Sequence, residues 1–194
     1  MQKFTMTIIM LACALTLVYL TFNFNSASNG AEAAIAVSGT EPIEVLFEHQ
    51  LNRNTFLLYR TQGGDDLSLA FFTRNLTGNH LIETATQYDI ESLTAKAGMN
   101  YVVLPQSDAV PFTVYAGSTT NPNLYEVFVT EMDFSIAHSI RVFESEVEGI
   151  YVWMAMSPDF FGERYSLTAV TQTGAIVADI ENDGTQRVFH TESQ

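Results

Sequence analysis

The chain has 194 residues, of which 47% are hydrophobic and 12% aromatic, a composition that folds rather than staying disordered. Its 22 acidic and 8 basic residues give a formal charge of −14, which repels a phosphate backbone and excludes nucleic acid as a partner. The single cysteine, Cys13, excludes a disulfide framework, and no residue after it can act as a thiol nucleophile or a thiolate zinc ligand.

Behind Lys3, residues 4–24 form a run of 21 uncharged, mostly apolar residues. At about 1.5 Å per helical residue this run just crosses a hydrocarbon core. Lys3 on the near side and acidic residues on the far side place the N-terminus in the cytoplasm. The expectation is an uncleaved signal anchor, a membrane helix over residues 1–24 that leaves the remainder outside a single-pass membrane protein. Two alternatives stay open: cleavage near Ala31-Glu32-Ala33, giving a secreted domain, and lipidation at Cys13. The apolar run continues past Cys13 to Leu20, which a lipidated N-terminus does not need. An exported domain without cysteines fits a Gram-positive bacterial protein better than a eukaryotic secreted one. Residues 25–42 are small and polar and read as a flexible tether. One extracytoplasmic domain then occupies residues 43–190.

From there the pattern is one of short β-branched and aromatic runs broken by Gly, Asn and Asp. IEVLF at 43–47, TFLLY at 55–59, LSLAF at 67–71 and FTVY at 112–115 read as strands. LYEVFV at 124–129, IYVWM at 150–154 and YSLTAV at 165–170 continue the series. The best helical stretch is residues 89–97, DIESLTAKA, with a capping residue and few β-branched side chains. An internal echo joins two parts of the domain. IEVLF resembles YEVFV, NTFLLY resembles GIYVWM, and the hairpin expected at Thr77-Gly78 resembles the one at Thr173-Gly174. The expected fold is all-β and antiparallel, a sandwich of two similar meander-like halves with at most one short helix.

Pro111, Phe112, Tyr115, Gly117, Asn121, Pro122, Leu124 and Val127, followed by Trp153 and Gly174, form a second pattern. Over about 65 residues, 111–177, it resembles small membrane-anchored proteins of bacilli and their relatives, a family without an assigned activity. The chain departs from that pattern at Thr171, where the closing hairpin has an aspartate, and at Ala116, which separates Tyr115 from Gly117. The matching positions are turn and core residues, so the resemblance implies an extracytoplasmic β-domain and no catalytic group.

Motifs that carry chemistry are sparse. His49, His80, His138 and His190 lie far apart with no metal-ligand spacing, and no nucleophile elbow surrounds Ser157 or Ser166. Gly63-Gly64-Asp65-Asp66 has no following lysine and reads as a hairpin turn. Glu144, Glu146 and Glu148 alternate in FESEVEG, as on the solvated face of a strand. Phe160 and Phe161 fall in a loop, where they either grip a partner or plug the end of the sandwich. In DIENDGTQRVFH, Asp179, Glu181, Asp183 and Gly184 match the start of a calcium loop, but His190 stands where its bidentate glutamate belongs. Asn182-Asp183-Gly184 therefore reads as a hairpin turn leading into a strand at 185–189. No cofactor is expected. The functional expectation is a non-catalytic binding role, toward an envelope protein or a cell-wall glycan, with the membrane engaged through residues 4–24. Its rivals are an envelope hydrolase using Asp65, Asp66 and Glu163, and a calcium-stabilised adhesion-like module.

Overall fold

A computed structural model describes residues 42–64, 66–75, 78–86, 98–133, 135–158, 163–183 and 190–193. The expected membrane helix, nearly all of the tether and the helical stretch at 89–97 lie outside these residues. Among the described residues there are thirteen strands and no helix, so none is present that could cross a membrane. They run as β1 (Ile43–Leu51), β2 (Asn54–Thr61), β3 (Leu67–Asn75), β4 (Gly78–Thr86), β5 (Met99–Leu104), β6 (Thr113–Thr119) and β7 (Leu124–Glu131). Then follow β8 (Ile136–Arg141), β9 (Phe143–Glu144), β10 (Tyr151–Ser157), β11 (Tyr165–Thr171), β12 (Ile176–Asn182) and β13 (His190–Ser193).

The strands form three antiparallel sheets where the sequence pattern predicts two halves. Sheet A has the order β1-β2-β3-β4-β13, sheet B β5-β6-β10-β9, and sheet C β12-β11-β7-β8. Sheet B is the middle layer, as the alternation along its strands requires. On β5, Tyr101 and Val103 enter a core shared with sheet C, while Val102 and Leu104 enter a core shared with sheet A. On β6, Tyr115 takes the first side and Val114 and Ala116 the second. Every residue of β6 is buried. A strand buried on both faces loses polar alternation and becomes a continuous apolar run. That is why MNYVVL, next to a helix-like stretch, is not conspicuous as a strand.

Sheet C is buried on one side only. Val127, Val129, Leu167, Ala169, Ala178 and Ile180 point inward. Outward, Thr168 Oγ1 donates to Asp179 at 2.9 Å and the Arg141 guanidinium lies over the Tyr125 ring at 5.1 Å. YSLTAV is legible in the sequence because this single-sided burial produces a clean two-residue period.

Sheet A carries apolar residues on both faces. Phe56 and Leu58 face sheet B, while Leu57 and Tyr59 join Ile43, Val45, Ala70, Phe72 and Leu81 on the opposite face. Two bulges set this arrangement. The β1–β2 register steps between Val45 and Phe47, so the adjacent residues Leu46 and Phe47 both reach the A–B core. A second step, between Phe71 and Phe72, is matched on β4 by Ile82, and Glu83 sits opposite Phe71.

The sequence echo does not survive as topology. Its first copy is one uninterrupted meander, β1 to β4, in sheet A. In the second copy YEVFV is β7 of sheet C, beside β11, whereas IYVWM is β10 of sheet B. After β12 the next described strand, β13, pairs with β4 of sheet A from His190↔Thr86 to Ser193↔Glu83. The hairpin expected at Asn182-Asp183-Gly184, with its strand at 185–189, lies outside the described residues from Gly184 onward.

Candidate functional site

Strand β1 is an edge strand of sheet A among the described residues. Pro42 precedes it, its carbonyl accepting a hydrogen bond from Gln62 N at 2.8 Å. Beside β1 lies the turn 145–149, between β9 and β10. Ser145 closes it: Ser145 Oγ accepts from Val147 N at 3.0 Å, Ser145 N donates to the Ile150 carbonyl at 2.9 Å, and Gly149 takes the left-handed conformation with φ 77°. The Phe47 ring meets the Phe143 ring edge-on at 4.8 Å and ties β1 to β9.

Between them is a cleft of about 440 Å³ lined by Ile43, Glu44, Val45, Glu48, Leu57, Gln62, Glu146 and Val147. Its volume lies in the range of small binding sites. Four lining residues are apolar, three are carboxylates and none is basic. Glu44 forms an ion pair with Arg60, and Glu48 accepts from Gln50 Nε2 at 2.8 Å. Glu146 is exposed. Among the described residues no cluster of His, Cys, Asp or Glu is close enough to hold a metal ion, so these carboxylates are spread out rather than convergent. The lining contains no hydroxyl or imidazole; it presents an apolar wall with a negative rim.

A second polar group lies between sheets B and C, away from solvent. Tyr115 Oη donates to the Glu131 carboxylate at 3.3 Å, and Tyr165 Oη donates to Tyr101 Oη at 3.5 Å. The Tyr165 ring packs edge-on against Tyr115 at 5.0 Å and Tyr101 at 6.2 Å. Glu131 is 1% exposed and the three tyrosines are buried. Burial, and then the neighbouring Tyr101, push the Tyr165 phenol far above its ordinary value of 10.0; burial raises Tyr101 as well. Both phenols stay protonated and serve as structural hydrogen-bonding groups. In the unfolded chain they ionise near pH 10, whereas the folded chain keeps them neutral. Their contribution to stability is thus complete below about pH 10 and is lost as pH rises above it. Thermal melts from about pH 8 to about pH 11.5 should show a melting temperature falling above roughly pH 10, and Tyr165→Phe should flatten that fall.

Glu83 is also buried and accepts from Ser107 Oγ at 2.8 Å, which joins β4 to the connection between β5 and β6. Trp153 Nε1 is buried without a hydrogen-bond partner among the described residues.

The residues singled out from sequence are dispersed. Phe160 and Phe161, the candidate partner-binding pair, and Asp65 lie outside the described residues. Asp66 precedes β3 of sheet A and Glu163 precedes β11 of sheet C, both exposed. Those sheets flank sheet B, so their mid-planes are about 20 Å apart at about 10 Å per layer. Ser157 and Ser166 are strand residues of β10 and β11, and His138 lies within β8. His49 stacks on Phe47 with ring centroids 6.2 Å apart. Gly63-Gly64 does form the β2–β3 turn, with Gly63 at φ 79°. Asp179 accepts from Thr168. The glutamates of FESEVEG are solvated as expected, but only Glu144 is on a strand; Glu146 and Glu148 occupy the turn. The cleft itself is not visible in the sequence, since Glu146 lies about a hundred residues from Glu44 and Glu48. The available signal was the doubled Leu46-Phe47 in an otherwise alternating strand, which marks a bulge. Comparison with protein-family models, curated proteins and solved structures gives no match for this chain.

Proposed function

We propose that this chain is a membrane-tethered extracytoplasmic β-domain that acts at a bacterial cell envelope by binding a partner rather than by catalysing a reaction. The observation that carries this reading is the cleft's position and lining. It lies on β1, an edge strand of sheet A among the described residues, directly after the tether, and presents apolar walls with a rim of carboxylates that do not converge. The apolar run at 4–24, with Lys3 before it, supports insertion with the domain outside. A net charge of −14 supports a soluble domain that avoids anionic surfaces.

The test is topology in intact bacterial cells. Gln172, in the turn between β11 and β12, is exposed, and Cys13 is the only native thiol. In a Cys13→Ser background, Gln172→Cys should react with a membrane-impermeant maleimide without lysis, and the protein should sediment with the membranes. Labelling only after lysis, or recovery in the cytosolic fraction, would overturn the reading.

A further inference from the structure

We propose that the β1-edge cleft takes a short, extended, basic peptide segment that adds as a strand to β1. This rests on the binding role above and names the ligand of that same cleft. Three observations converge on it. First, β1 pairs only with β2, so its other edge keeps unpaired backbone donors and acceptors among the described residues. An extended peptide satisfies such an edge with main-chain hydrogen bonds. Second, the lining mixes chemistry along the edge: Ile43 and Val45 are apolar, Glu48 is acidic, and Glu44 is paired with Arg60, with Glu146 and Val147 on the neighbouring turn. A peptide with alternating basic and apolar side chains matches both sets. Third, the carboxylates are too dispersed for a metal ion, which favours several cationic groups spaced along a chain.

The other occupants fit less well. A second copy would bring the same glutamates and its own charge of −14 against this edge. The chain's tether carries Glu32 and Glu41 and no base. The bulge at Leu46 interrupts the edge and limits an added strand to a few residues, which suits a short segment and opposes long edge-to-edge stacking. A volume of about 440 Å³ likewise accommodates a few side chains.

The experiment uses the full chain in nanodiscs of zwitterionic lipid and a fluorescent hexapeptide of alternating lysine and valine. Saturable binding that weakens with salt is expected, whereas the glutamate–valine counterpart should not bind. Glu48→Gln together with Glu146→Gln should weaken binding on the order of fivefold, as expected for two partly solvated charge pairs. Asp133→Asn, beside Arg164 at the far layer, should leave it unchanged. Peptide N-methylated on alternate residues should lose binding, because it cannot pair with β1. Melting temperatures of the variants exclude misfolding as the cause. Equal binding of the N-methylated peptide, of spermine or of the acidic peptide would overturn the proposal, as would an unchanged affinity in the double variant. These outcomes are independent of membrane topology, so this inference and the localisation stand or fall separately.

Discussion

Gly117→Ala is expected to destabilise the domain by about 3 kcal/mol, the upper end of the usual cost of overpacking. Gly117 lies on β6, the strand with every residue buried, and pairs with Trp153 on β10 and Tyr101 on β5. A Cβ at this position would stand 2.5 Å from Trp153 Cζ2 and 2.5 Å from the Asn100 carbonyl oxygen. Neither neighbour can yield easily. Trp153 is 0% exposed and wedged in the B–C core, and moving the Asn100 carbonyl means moving β5. Trp153→Phe removes the indole's part of the clash and leaves the carbonyl's, so the double variant should be more stable than the sum of the two losses predicts. Urea denaturation checks this; a loss below about 0.5 kcal/mol for Gly117→Ala would mean that β6 is not held between two packed layers.

Phe56→Ala should cost about 3–5 kcal/mol, as for other fully buried phenylalanines. Phe56 is 0% exposed in the A–B core, 4.9 Å from the Phe71 ring and 5.8 Å from the Phe112 ring. Phe71 belongs to sheet A, whereas Phe112 lies on the connection leading into β6. The substitution therefore leaves a cavity bounded by both layers. With the total stability of a domain at roughly 5–15 kcal/mol, the loss removes a large share of it. The cleft should weaken too, since Phe56 pairs with His49 on β1 and so supports the strand that forms its wall.

How much of this was legible in the sequence follows from how many faces each strand buries. Strands β7 and β11 of sheet C and the β2–β3 hairpin were readable, because their turns carry Gly63 and Gly174 and sheet C alternates with a period of two. In sheet B, β6 and β10 were legible as FTVY and IYVWM, but β5 was not: burial on both faces erases its alternation, and the stretch before Gly98 reads as a helix. The assignment of strands to three sheets could not be read at all, since IEVLF and YEVFV have similar local patterns but different neighbours. Pairing partners are set by long-range packing, which local pattern does not encode. The cleft was hidden for the same reason, being assembled from β1, β2 and a turn about a hundred residues away.

Sheet B is a shared middle layer, so the cleft-bearing sheet A and the solvated sheet C belong to one cooperative body; on this the rest of the account depends. Trp153 is the only tryptophan and lies in the B–C core, on the other side of sheet B from Phe56. Urea denaturation of Phe56→Ala, followed at once by tryptophan fluorescence and by far-ultraviolet circular dichroism, tests that claim most directly. One transition is predicted, with both midpoints lowered equally from those of the parent chain. A tryptophan midpoint that stays at the parent value, with a separate earlier loss of β-structure, would contradict it.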